Sequence, residues 1–172
     1  MILAHKDNNG NVQTLQDHSF NVATKAREDA KVINQGDILF LLGLYHDLGK
    51  ANQEFQDKLL LHPNKHVDHS SAGARYLYQK IQSLKSLNVE KAERELFQEI
   101  CAYVISSHHG MYDILFQDET INASQYKYNR LRYRIMEGTE TRRYEEDIEP
   151  FAQKLESQLS YYGYSSLDDL IK

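Results

Sequence analysis

Leu41-Leu42-Gly43-Leu44-Tyr45-His46-Asp47-Leu48-Gly49-Lys50 decides how this 172-residue chain is read. Ile38 to Leu42, together with Leu44 and Tyr45, form an apolar run leading straight into His46-Asp47. A helix that is apolar on every side is a buried one. Its last turn therefore carries an imidazole and a carboxylate into the interior. A buried carboxylate is costly unless a cation or several donors compensate it. A metal ion does so where further histidines lie within reach. Taken alone, the pair also fits a plain hydrogen-bonded cap on a core helix. Gly49 is expected to free the backbone for a turn just past the pair.

The flanking segments supply the histidines. Upstream, Gln13 to Ile33 predicts a helix with Leu15, His18, Val22, Ala26, Ala30 and Ile33 on its apolar face, so that His18 points inward. Gln35-Gly36 ends that helix, and Asp37 is the expected N-cap of the central one. The first 13 residues are polar, and Asp7-Asn8-Asn9-Gly10 signals either a short hairpin or a loop.

Downstream, Asn52 to Leu61 reads as a helix with Phe55, Leu59 and Leu60 inward, broken by His62-Pro63-Asn64-Lys65. Val67-Asp68-His69-Ser70 opens another, whose inner face is His69, Gly73, Tyr76/Leu77, Lys80/Ile81 and Leu84. Gly73, one turn after His69, lets another backbone or a ligand approach closely. A charged connection, Lys85 to Glu95, leads to a helix in which Leu96, Ile100 and Val104 run on to His108, and Phe97, Cys101 and Ile105 run on to His109. Both histidines are expected to prolong buried rows before Gly110 stops the helix. The pattern weakens from Met111 to Glu140. The acidic remainder predicts a helix through Ile148, Phe151, Ala152, Leu155 and Leu159, and Ser166 to Ile171 looks like the beginning of one more.

Composition narrows the class. Two prolines, eight glycines and no tryptophan favour an all-α chain over a turn-rich all-β one, and the length fits one domain, residues 1–172. A net charge of −5 advertises no global basic surface, so any nucleic-acid contact is local. A single cysteine, Cys101, leaves no internal disulfide and suits a reducing cytoplasm. No apolar run approaches the ~18 residues of a membrane span, so no membrane partner is expected. Eight histidines is the unusual count.

Five of them, His18, His46, His69, His108 and His109, are read as inward, with Asp47 beside one. One histidine on an apolar face is usually a satisfied core residue; five aligned with buried rows on four helices point to metal. His5, His62 and His66 lack that context and are read as surface or loop residues. A set of imidazoles plus carboxylate, without thiolate, suits Mn, Fe, Co, Ni or Zn better than Ca, with Mg less favoured. Six ligands exceed what one catalytic ion with an open position needs. Two ions sharing Asp47 as a bridge fit better, an arrangement suited to phosphoester hydrolysis. Lys50 could neutralise charge on a phosphoryl transition state, or simply sit favourably at a helix end.

These segments resemble the HD-domain superfamily of metal-dependent phosphohydrolases. Within it, His46-Asp47-Leu48-Gly49-Lys50, His69-Ser70-Ser71-Ala72-Gly73-Ala74 and Ser107-His108-His109-Gly110 together look like the HD nuclease domain of the CRISPR type I interference helicase–nuclease. The resemblance is carried by residues 15–110. It implies an all-α HD-domain helical bundle holding two transition-metal ions and cleaving single-stranded DNA. It places metal ligands at His46, Asp47, His69, His108 and His109, the first family histidine at His18, and the catalytic lysine at Lys50. It also implies a helicase that feeds the strand and an effector complex that captures the target, in an antiviral defence system.

The family completes its site with a later aspartate on a final helix. Asp168 and Asp169 are the late residues on a helical pattern, but Ser165-Ser166-Leu167-Asp168-Asp169-Leu170 matches poorly. The chain is therefore expected to stop before that helix and before a helicase part. Two other readings stay open: a phosphohydrolase acting on a nucleotide, and a catalytically impaired metal-binding scaffold of the interference complex. Gln125 to Arg134 carries Lys127, Arg130, Arg132 and Arg134 with Tyr126, Tyr128 and Tyr133 interleaved and no acidic residue. Such a stretch can meet phosphates and stack on unpaired bases, form a solvated helix, or dock a helicase. Replacing the four basic residues by Ala should weaken single-stranded DNA binding and flatten its salt dependence, as read by fluorescence anisotropy across a salt series; unchanged affinity would return the stretch to a structural role.

Overall fold

The Asp7–Gly10 turn closes a hairpin. Strand β1 (Leu3–Lys6) pairs antiparallel with β2 (Val12–Thr14), and Gly10 takes the positive φ of 85° that the turn requires. The described elements after it are helices and 3-10 turns in the computed structural model, which describes residues 1–84, 89–109, 131, 135 and 145–171. The helices are α1 (Leu15–Asp29), α2 (Gly36–Tyr45), α3 (Gln53–Leu61), α4 (Ser70–Ser83), α5 (Lys91–Ser107), α6 (Glu145–Glu156) and α7 (Leu167–Ile171). Short 3-10 turns follow α1 (Ala30–Ile33), α2 (Leu48–Ala51) and α6 (Leu159–Tyr162). Apart from the hairpin, the all-α expectation holds. Among the described residues, no helix is long and apolar enough to cross a membrane.

Local chemistry sets the helix starts. Thr14 caps α1 by accepting from the Asp17 N–H at 3.0 Å, and Asn52 caps α3 through the Glu54 N–H. Glu90 and Glu93 form a reciprocal capping box on α5. The apolar run does what its composition demands: Phe40 to Tyr45 are all buried, and α2 lies across α1 with α4 and α5 also against it. The Leu48–Ala51 turn is equally buried, in contact with α1, α3, α4, α6 and β1. It is the hub of the bundle. Phe151, Ala152, Leu155 and Leu159 close the core from the C-terminal side, as their spacing predicts.

Two glycines set how closely this hub is held. A Cβ on Gly73 would stand 2.3 Å from the Tyr45 carbonyl oxygen, and one on Gly49 would stand 2.1 Å from that of His69. Gly73 thus admits a neighbouring backbone, as its position beside His69 predicts. Gly49 differs from expectation: it has no left-handed φ, and its role is close contact inside a 3-10 turn.

Other expectations are corrected. Ile33 is exposed, because the chain leaves α-helical period in the 3-10 turn at Ala30–Ile33. Gln35, not Asp37, occupies the N-cap of α2; Asp37 lies inside the first turn and accepts from the Tyr164 hydroxyl at 2.6 Å. Leu60 is exposed, since Phe55 and Gln56 define the inner side of α3. Helix α5 already begins at Lys91, within the segment expected to be a connection. Its buried stripe is Gln98, Cys101, Ala102 and Ile105, and the row Leu96, Ile100, Val104 lies roughly half a turn away and is exposed. Gly110 and most of 111–144 lie outside the described residues; of that stretch, Leu131 and Ile135 are buried in the core.

Gly49→Ala and Gly73→Ala should each cost roughly 1–3 kcal/mol, the usual range for forcing extra volume into a packed interior, measured by urea denaturation. Cys101 offers a native-state reporter, because burial pushes its thiol up to about 12. A thiol reagent at pH 8 should label it only as fast as the protein unfolds; immediate labelling of the folded protein would contradict its burial.

Candidate metal centre

Three helix ends, one helix face and one 3-10 turn converge on a single carboxylate. His46 is the C-cap residue of α2 and His108 that of α5, while His69 is the N-cap residue of α4. His109 follows His108, His18 comes from the first turn of α1, and Lys50 from the buried 3-10 turn. At the centre Asp47 is 2% exposed, and Lys50 is 4% exposed.

The two oxygens of Asp47 face different partners. Oδ2 lies 2.9 Å from His18 Nε2, 3.1 Å from His46 Nε2 and 2.8 Å from Lys50 Nζ. Oδ1 lies 3.3 Å from both His69 Nε2 and His108 Nε2. Within each group the imidazoles also crowd one another: His18 and His46 bring their Nε2 atoms to 3.2 Å, and His69 and His109 to 2.6 Å.

Each ring that faces Asp47 has its other nitrogen engaged. Nδ1 of His46 donates to the Gly43 carbonyl at 2.7 Å and Nδ1 of His108 to that of Ile105 at 2.6 Å. Nδ1 of His69 faces the Val67 carbonyl at 3.4 Å, and Nδ1 of His18 the Gln13 side-chain oxygen at 3.2 Å. A neutral imidazole carries one N–H, so these contacts place it on Nδ1 and leave Nε2 as a bare lone pair. Bare Nε2 atoms aimed at a carboxylate and at each other repel. Protonating them all would instead gather four imidazolium ions and Lys50 around one carboxylate.

Cations between Asp47 and the rings resolve both problems. Two atoms record the deficit directly: Asp47 Oδ1 and His108 Nε2 are buried with no hydrogen-bond partner. The residues present therefore fit a metal ion. Asp47, His69, His108 and His109 each offer a ligand atom, all within 4.8 Å of one another, and so do His5, His18 and Asp47.

Electrostatics favours the ligand forms. Burial alone would raise the Asp47 carboxyl, but wherever Nε2 carries the proton the imidazoles of His108, His18, His46 and His69 donate to it and hold it far below the usual carboxylate range. His109 is pushed down to about 4, first by burial and then by His108 and His69, so it is neutral at physiological pH.

The structure thus brings together His18, His46, Asp47, Lys50, His69, His108 and His109. His108 reaches the centre despite continuing an exposed row, because α5 ends at Ser107 and the two histidines occupy the turn beyond it. His62 and His66 are exposed, as expected. His5 is exposed too, as expected, but it stands beside the centre: its ring packs edge-on against His18 with centroids 4.7 Å apart. Helical periodicity could not find it, since it sits on a strand, paired with Gln13.

Asp168 and Asp169 are not at the centre. Asp169 accepts from the backbone and hydroxyl of Ser165, and Leu170 and Ile171 line a cavity with Gly36 and Asp37, at the end of α2 opposite His46. That is about one 15 Å helix length away. Lys127, Arg130, Arg132 and Arg134 lie outside the described residues.

The His109 shift has a sign that can be checked. Between its ordinary value of 6.5 and its folded value of about 4, the unfolded chain takes up a proton that the folded one refuses. The metal-free protein is therefore stabilised above that window and loses stability as pH falls through it. His109→Gln should flatten this part of the stability–pH profile in denaturation experiments run with a chelator, and an unchanged slope would show that His109 is not the group responsible.

With this geometry in hand, comparison with known proteins is informative at one level. No curated protein and no solved structure matches the chain. The pattern that defines the HD domain matches residues 15–155, a span that takes in His18, the His46-Asp47 pair, His69 and the His108-His109 pair. The chain belongs to the HD domain family, whose members are generally metal-dependent hydrolases.

Proposed function

We propose that this domain is a metal-dependent nuclease that cleaves single-stranded DNA by two-metal phosphodiester hydrolysis in CRISPR interference. The observation that carries the reading is the divided carboxylate: Oδ2 of Asp47 serves His18 and His46 while Oδ1 serves His69 and His108. A carboxylate placed in this way can bridge two ions. Two divalent transition ions held across Asp47, such as Mn, Co, Ni, Fe or Zn, would supply water activation on one side and stabilisation of the leaving oxygen on the other.

The chain's own groups do the rest. His18 and His46 would bind on one side and His69, His108 and His109 on the other, with ring orientations fixed through Nδ1. Lys50, buried and 2.8 Å from Asp47 Oδ2, holds the carboxylate in place and adds positive charge where a phosphoryl group would gain negative charge. His109 and His5 are exposed at the rim, which favours a polymer running past the centre over a small molecule enclosed in it. The three motifs around His46-Asp47, His69 and His108-His109 support the interference assignment. In that setting a helicase part and an effector complex would deliver the strand in the cytoplasm, with Lys127, Arg130, Arg132 and Arg134 meeting its phosphates.

One observation favours a second reading, a metal-binding scaffold with impaired catalysis. The late aspartates on α7 lie at the wrong end of α2 to complete the ligand set. Cleavage of circular single-stranded DNA across Mn, Co, Ni, Zn and Mg separates these readings from each other and from a nucleotide hydrolase. We expect transition-metal-dependent nicking that falls on the order of a thousandfold or more in Asp47→Ala, the scale of several kcal/mol of lost charge stabilisation, with helical circular dichroism unchanged. Metal uptake without cutting would support the scaffold, and turnover of mononucleotides alone would support the nucleotide hydrolase.

A further inference from the structure

We propose that His5, on the first strand, is a ligand of the ion held on the His18 side of Asp47. The inference rests on the metal-centre reading above and adds a residue from outside the helical bundle. Its basis is geometric. His5, His18 and Asp47 each present one ligand atom, and the three atoms lie within 4.8 Å of one another. The His5 ring meets the His18 ring edge-on, at an interplanar angle of 79°. His5 brings the imidazoles on the Oδ2 side to three, with His18 and His46, matching His69, His108 and His109 on the Oδ1 side.

The strand that carries His5 is fixed to the centre by a buried polar clamp. Gln56, 8% exposed, accepts from the Leu3 N–H at 3.0 Å. Its amide nitrogen donates to the Leu3 carbonyl at 2.9 Å and to the Lys50 carbonyl at 2.7 Å. One side chain therefore ties the strand two residues before His5 to the turn three residues after Asp47. Just before that clamp, the Leu15 N–H donates to the Ile2 carbonyl at 2.9 Å, joining the strand to the start of the helix that bears His18.

Just past these anchors the pairing slips: Leu3 faces Thr14 and His5 faces Gln13, with a bulge between. Bulges re-aim side chains beside functional sites. Here the partner of His5 across the ladder is Gln13, the residue that orients His18. A hairpin whose only task was to cover the core would gain nothing from this placement, since Leu3 and Ala4 do that. An imidazole donor suits the borderline divalent ions already favoured by the other ligands.

The test is titration of the metal-free 172-residue chain with Co(II), read by d–d absorption and by calorimetric stoichiometry and affinity, with His18→Ala and His109→Ala marking the two sides. We expect His5→Ala to weaken the ion that His18→Ala removes by at least about tenfold, the lower end of what a lost supporting contact costs a metal site, and to spare the ion that His109→Ala removes. His5→Phe keeps an edge-on ring without a donor nitrogen and should behave as His5→Ala. Wild-type affinity in His5→Ala, wild-type affinity in His5→Phe, or a loss on the His109 side would overturn the His5 assignment and leave the metal centre standing. A wild-type chain that takes up no Co(II) would overturn both.

Discussion

A carboxylate that is almost wholly withdrawn from water is the constraint on which the rest of this structure depends. Asp47 is buried at the end of an apolar helix, and an isolated charge there would cost several kcal/mol. What is packed around it offsets only part of that cost. Lys50 pairs with one oxygen, four imidazoles face the two oxygens, and the intervening turn is buried on all sides. Lys50 alone balances the formal charge, but it leaves the ring nitrogens unprovided for. The orphaned atoms on Asp47 and His108 show where compensation is still missing. Structure and chemistry thus meet in one requirement, because the ions that would complete the electrostatics would also perform the hydrolysis.

That requirement explains why the hub is held by backbone contact. The turn after Asp47 lies against the His69 carbonyl at Gly49, and α4 lies against the Tyr45 carbonyl at Gly73. Side chains at either position would separate the two halves of the ligand set. The clamp from Gln56 continues the same logic on the other side, joining strand, turn and helix through three hydrogen bonds from one buried amide. Further out, Tyr45 and Tyr76 both donate to Glu156, tying the central helix and α4 to α6. Burial first, and then the charge of Glu156, keep the Tyr76 hydroxyl protonated.

Much of this was legible in the sequence because helical periodicity is local. The all-round apolar run could only be a core helix, so the burial of Asp47 and the partial burial of His46 followed from it. His18 and His69 likewise followed from their rows. Legibility failed where the period changes. Ile33 left the core in a 3-10 turn, Asp37 moved inside its helix, and the row through Leu96, Ile100 and Val104 was apolar without being buried. His108 joined the centre for a reason its row did not contain, namely that the helix had ended. His5 was hidden more deeply. Its position depends on a strand bulge and on a glutamine about fifty residues away, and a pattern of apolar residues encodes neither.

The hydrogen bonds from His46 and His108 to carbonyls three residues earlier bear on how such a centre could be moved to another scaffold. The last carbonyls of a helix have no partner within it, and here a ligand ring takes up one at each of two helix ends. Ring orientation is thereby written into where a helix stops, not into which side chains surround it. A designer grafting this centre would need to transfer two helix terminations with correct relative placement, and could redraw much of the surrounding packing freely. A graft that copied the ligands into unbroken helices would leave the same rings free to rotate.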